Sequence, residues 1–207
     1  MQTFTLDSDP KEVLQYHRPA LIPVFEALEI AVPKATKLIA ENGWRNTGTL
    51  SSHLVRAEML ALLDGKTLPV EYDDVPRILS MDSIAMEGLS TVFDGVEIKI
   101  LKGSTFPIAT SEAREIFYQQ SLPSIWTKAG SPPIKNLLIM WDCDLTGNNL
   151  RLYLYCPKSP TDYSWRETIP HPAEWMVTTV SSDSSSNGGG DLGDLVDELV
   201  TTKTQEE

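Results

Sequence analysis

The chain has 207 residues, 41% of them hydrophobic and 8% aromatic, and carries a net charge of −12. That is enough chain for one domain with a sizeable core, with or without a tail. No apolar run reaches the roughly 18 residues of a membrane span, and the opening MQTFTLDSDPKEV lacks the basic and apolar regions of a secretory signal, so no membrane partner is expected and the cytoplasm is the simplest compartment.

The charge is uneven. From Ser181 onward seven acids stand against Lys203 alone, a net −6, and the first 180 residues carry the other −6 without a basic cluster. Non-specific nucleic-acid binding draws on lysines and arginines that neutralise phosphates, so nucleic acid is not an expected partner. Only a basic patch assembled in three dimensions would supply one.

In chain order, Asp9-Pro10-Lys11-Glu12 predicts a helix start, with Asp9 as N-cap and Pro10 in the first turn. Pro19 is expected to end that helix, a second short helix to cover 20–31, and Pro33 to open a third that stops at Asn42-Gly43. Trp44 is expected to pack back onto this last helix. Residues 1–45 thus read as an N-terminal helical segment packed on a main domain at 46–180. Thr49 or Ser51 is the expected cap of the next helix, whose wide stripe of Leu50, Leu54, Val55, Ala57, Met59, Ala61, Leu62 and Leu63 predicts a largely buried element ended by Gly65. Residues 66–87 read either as a strand broken by Pro76 or as a loop.

Gly88–Gly103 is the clearest hairpin. Asp94-Gly95 suits a type I′ turn, which needs positive φ at both central residues, and it sets Phe93 opposite Val96, Thr91 opposite Ile98 and Leu89 opposite Ile100. Alternation then places Ser90, Val92, Glu97, Lys99 and Leu101 on the other face. Thr110 or Ser111 caps a following helix on which Ala113, Ile116, Phe117 and Gln120 share a face. A second hairpin spans 136–157. A Gly147-Asn148 turn pairs Cys143 with Leu152 and Trp141 with Leu154 and faces Asp144 to Arg151, while an Asn148-Asn149 turn shifts the register by two and keeps the faces. Both Cys143 and Cys156 read as buried thiols, not as a disulfide, and an edge strand is expected at 175–180.

The fold class expected is therefore α+β: antiparallel hairpins at about 88–103 and 136–157 packed against helices. From residue 181 the linker SSDSSSNGGGD opens a disordered acidic tail to 207. Within it Leu192, Leu195, Val196 and Leu199, with Val200, fall at helical spacing, so 191–200 either folds as a short amphipathic helix against its own domain or a partner, or stays disordered.

Phosphate loops, nucleophile elbows and metal-ligand spacings are missing from the sequence, and His17, His53 and His171 stand far apart. What remains is Glu97-x-Lys99. With the element order around it, this pair resembles the core of the PD-(D/E)xK nucleases, which runs helix, three strands, helix, strand. The resemblance implies a magnesium or manganese ion held by Glu97 and a leading carboxylate, Asp82 or Asp94, with Lys99 activating or positioning water. The alternative is that Glu97 and Lys99 are solvent-facing hairpin residues and that there is no catalytic site, metal or cofactor.

SEAREIFYQQ, LLIMWDCD, LRLYLYCPKS and YSWRETIP together resemble uncharacterised actinobacterial proteins encoded near helix-turn-helix regulators and ImmA-type metallopeptidases. That resemblance covers about 88–172 and implies a regulatory accessory role in a mobile-element, phage or defence system, with no catalytic residue. The expected function is that of a non-enzymatic interaction protein whose tail residues Leu192, Leu195, Val196 and Leu199 bind a protein partner. The alternatives are a metal-dependent nuclease using Asp82, Glu97 and Lys99, and a small-ligand or peptide binder using Tyr153, Tyr155 and Trp165.

Overall fold

The computed structural model describes residues 2–66, 81–84, 88–120, 131–144 and 146–175. Two compact units divide the chain, residues 1–172 and 173–207. Of the second, only 173–175 are described, and they are helical. Trp175 is thus helical, and the rest of the expected edge strand, 176–180, lies outside the described residues together with the acidic tail and its amphipathic stripe.

The N-terminal region is one helix, α1 (Pro10–Glu41), not three. Its start is as expected: Asp9 caps it, its carboxylate accepting from the Lys11 N–H at 2.9 Å. Its end is a Schellman closure, with Gly43 N–H on Ala40 and Trp44 N–H on Ile39, and Gly43 at φ +63°. Trp44 itself is half exposed. Pro19, Pro23 and Pro33 all sit inside the helix. Each removes one backbone donor, which locally favours a break. The break does not occur because the helix buries a long face from Val13 to Ile39, in which the rings of Pro19 and Pro23 are themselves part of the packing. Burial of that much apolar surface outweighs three missing hydrogen bonds.

The next helix, α2 (Gly48–Leu63), is capped not by Thr49 or Ser51 but by Thr47, whose hydroxyl accepts from Leu50 N–H at 3.2 Å. Its buried residues are Ser51, Val55, Met59 and Leu63, a single i, i+4 row, while Ala57 and Ala61 face outward. It covers the protein with a narrow stripe and is not the largely buried helix expected.

Among the described residues six strands form one sheet in chain order: β1 (Met81–Ile84), β2 (Gly88–Phe93), β3 (Val96–Lys102), β4 (Asn136–Asp142), β5 (Arg151–Ser159) and β6 (Asp162–Ile169). Neighbours are antiparallel except β3 and β4, which run parallel. That pair is joined by a crossover containing the short helix α3 (Glu112–Tyr118), capped by Ser111. The protein is thus α+β with a mixed sheet. Strand β1 lies in the 66–87 segment that local signals leave open, docked beside β2; residues 67–80 and 85–87 lie outside the described residues.

The first hairpin has the expected register throughout, and Asp94 (φ 51°) and Gly95 (φ 80°) both take the positive φ of a type I′ turn. The second does not. Trp141 pairs with Leu152 and Leu138 with Tyr155, so neither expected turn forms, although the faces are kept. A longer connection intervenes, in which the Asp144 carboxylate accepts from Thr146 N–H (3.0 Å), Thr146 hydroxyl (2.6 Å), Asn148 N–H (2.8 Å) and the Asn149 amide (2.8 Å). These bonds, the Thr146 hydroxyl foremost, hold the Asp144 carboxyl below its usual range. Asp144 is therefore spent on its own loop, and Arg151 pairs with Asp142 at 3.0 Å instead.

Helices α1 and α2 cover one face of the sheet, which carries Leu89, Thr91, Phe93, Ile98, Ile100, Leu137, Ile139, Trp141, Leu152 and Leu154. Helix α3 covers the other, packing Phe117 and Tyr118 on Leu138, Met140 and Tyr155. Central β4 is consequently buried from Leu137 to Trp141. Both cysteines are free; Cys156 is buried, and burial pushes its thiol up to about 12, whereas Cys143 is only half-buried in the loop after β4.

Candidate functional site

Lys99 is the residue on which the sequence reading and the tertiary structure differ most. It lies on the hairpin face expected to meet solvent, yet it is only 6% exposed, because α3 closes over that face. Its ammonium stands 4.4 Å above the Phe117 ring, a cation–π contact in a desolvated setting. Glu97 pairs with Val92 on one side and Asn136 on the other and is half-buried. Ser90 pairs with Lys99 and is buried too. Asp82 pairs with Ser90, so the register sets Asp82, Ser90 and Lys99 in one row across β1, β2 and β3. Asp94 lies elsewhere: its carboxylate accepts the hydroxyl of Tyr16 on α1. Of the two leading carboxylates expected, only Asp82 shares the row with Lys99.

The Asp94 turn borders a cavity of about 370 Å³ that also takes Phe4, Tyr16, His17, Val96 and Ile134. Rings of Phe4, Tyr16, His17 and Phe93 stack edge-on and tilted around it. His17 is 1% exposed; its Nδ1 donates to the Val13 carbonyl at 2.8 Å, and its Nε2 meets no hydrogen-bond partner among the described residues. Desolvation lowers the His17 pKa, against the opposing pulls of the Val13 carbonyl and the Asp94 charge. Sequence spacing does not reveal this cluster, since Tyr16 and Asp94 are 78 residues apart.

Below about pH 6.5 the unfolded chain binds a proton at His17 that the folded chain resists, so stability falls as pH drops from 6.5 toward the folded value. The slope for this one group is at most about 1.4 kcal/mol per pH unit. Melting curves near pH 7.5 and pH 5.5 are expected to show a smaller acid-side loss for His17→Phe than for wild type. Equal losses would mean that His17 titrates alike in both states.

A polar clasp was likewise hidden. Gln120, immediately after α3, is 3% exposed and left-handed at φ 56°. Its amide nitrogen donates to the carbonyls of Asn136 (2.6 Å) and Pro157 (2.8 Å), and its oxygen accepts from the N–H groups of Lys135 (2.9 Å) and Asn136 (3.0 Å). Asn136 reciprocates with a 2.6 Å bond to the Phe117 carbonyl. The clasp anchors the end of α3 to β4 and β5, and so holds Phe117 over Lys99.

With this geometry in hand the chain was compared with known proteins. No family model, curated protein or solved structure matches it. Among the described residues no three His, Cys, Asp or Glu side chains gather as a metal-ligand group, and no helix is long and apolar enough to cross a membrane. Tyr153 and Tyr155 are engaged on the α3 side of the sheet, where the Arg166 guanidinium lies 3.8 Å from the Tyr153 ring and Tyr155 packs edge-on to Tyr163. The tail residues Leu192, Leu195, Val196 and Leu199 lie outside the described residues.

Proposed function

We propose that the protein is a non-enzymatic regulatory interaction protein, in which residues 1–172 are a folded scaffold and the apolar stripe of Leu192, Leu195, Val196 and Leu199 in the acidic tail engages a protein partner. The observation that carries this reading is Lys99: the residue best suited to catalysis is covered by α3 and packed on Phe117. The amphipathic spacing beyond a linker without core-forming residues supplies the docking element. Deleting 181–207 is expected to abolish capture of a cognate partner while shifting the melting temperature of the folded unit by less than about 2 °C, because 1–172 clusters as its own compact unit. Unchanged capture by the truncated chain would overturn the proposal.

One observation favours a second reading. The order α2, β1–β3, α3, β4, with β4 parallel to β3, follows the core sequence of elements in PD-(D/E)xK nucleases, and the register aligns Asp82 with Lys99. In that reading Asp82 and Glu97 hold magnesium or manganese and Lys99 positions water. It requires metal-dependent nicking of supercoiled DNA by wild type and its loss in Glu97→Ala. Equal activity in both, or none in either, removes it.

A further inference from the structure

In a chain of net charge −12, one cleft gathers positive charge from three elements that are distant in sequence. Arg56 comes from α2, Lys102 from the end of β3 and Arg114 from α3, around a cavity of about 420 Å³ that His53, Leu101 and Pro107 also line. Among the described residues no carboxylate lines it. Arg56 and Lys102 have no acid partner among the described residues: Lys102 donates to the Ser51 hydroxyl at 3.1 Å and stands 5.2 Å from the Trp141 ring, and Arg56 makes no ion pair. Like charges brought into one cleft repel each other. Consistent with that, burial first and the neighbouring Arg114 charge second lower the pKa of Arg56. The same cleft is edged by Gly48, Thr49 and Ser52. Gly48 and Thr49 lie in the first turn of a 16-residue helix, where backbone N–H groups have no carbonyl four residues back, and that turn carries no acid.

We propose that this cleft binds a small ligand bearing two or more phosphate groups. Guanidinium forks recognise phosphate oxygens in pairs, and Arg56 and Arg114 bring two of them to one cavity with Lys102 as a point charge. Three fixed cations match a multiply charged anion better than a single phosphate. The volume lies within the range of small-molecule sites. The acidic remainder of the protein repels a long polyanion that would extend beyond the cleft, which favours a small ligand over a nucleic-acid strand.

Calorimetric titration of the full chain with pyrophosphate, ATP, inorganic phosphate and a single-stranded oligonucleotide tests this. Saturable binding of pyrophosphate and ATP, weaker binding of phosphate, and at least a tenfold loss in Arg56→Gln/Arg114→Gln are expected. Arg56 makes no ion pair among the described residues, so Arg56→Gln alone is expected to lose affinity while melting within about 2 °C of wild type, and lost binding would not reflect lost folding. A control that removes a positive charge away from the cleft, Lys158→Gln, lies on an exposed position of β5 and is expected to bind as wild type. No saturable binding at millimolar ligand, equal binding by the double variant, or binding of the oligonucleotide alone would each overturn the proposal.

Discussion

Gln120→Ala is expected to lower the melting temperature by roughly 6–12 °C. The side chain satisfies two backbone carbonyls and two backbone N–H groups from Lys135, Asn136 and Pro157. Leaving buried partners unsatisfied costs about 1–3 kcal/mol each. Water can reach some of the part-buried groups, so a net loss of about 3 kcal/mol is reasonable, and 1 kcal/mol moves the melting point of a domain this size by about 2–4 °C. Gln120→Glu sharpens the test. A carboxylate placed against the Asn136 and Pro157 carbonyls has no proton to donate, so its pKa in the folded state is raised. Its stability is then greatest at low pH, where the protonated acid can donate, and is lost as pH rises through the folded pKa. Relative to wild type, Gln120→Glu should therefore be more damaging near pH 8 than near pH 5. A melting point within 2 °C of wild type for Gln120→Ala would show that the clasp is dispensable.

Ile139→Ala carries a loss of similar or larger size, for a different reason. Ile139 is fully buried in central β4 and stands in register with Ile100 on one side and Leu154 on the other, a row that Leu89 extends onto β2. Both faces of the strand are covered, so the neighbours cannot collapse into the space. Large-to-small changes at such sites cost about 2–5 kcal/mol. Val92 provides the contrast on the same sheet: it is 62% exposed on β2, and Val92→Ala should stay within about 0.5 kcal/mol. Denaturant midpoints for the two variants measure the difference directly. Equal midpoints would contradict the packing described.

These two effects differ in how far the sequence announces them. Ile139 lies in an apolar run whose alternation predicts one buried face, and only the covering of the second face by α3 makes the whole strand interior. Gln120 is grouped by helical spacing with Phe117 and Ile116, yet it stands past the helix end at positive φ, while Ile116 is 64% exposed. Nothing local marks a glutamine as a clasp, because its partners lie 15 to 37 residues away.

What the sequence determines alone are the features whose energetics close within a few residues. The Asp94-Gly95 turn sets a complete hairpin register because both φ angles must be positive. Asp9, Ser111 and Asn42-Gly43 mark helix ends because orphan backbone groups need a nearby partner. The two faces of each hairpin follow from the alternation of side chains. What only the tertiary structure decides are the outcomes in which distant surfaces outbid local preference. Packing carries α1 through three prolines, the Asp144 loop moves the β4–β5 register by two residues, and the parallel docking of β4 beside β3 brings α3 down over Lys99. The same docking assembles Arg56, Lys102 and Arg114 around one cleft, which no stretch of this acidic sequence foreshadows, because charge in a cleft depends on which elements pack together and not on their order in the chain.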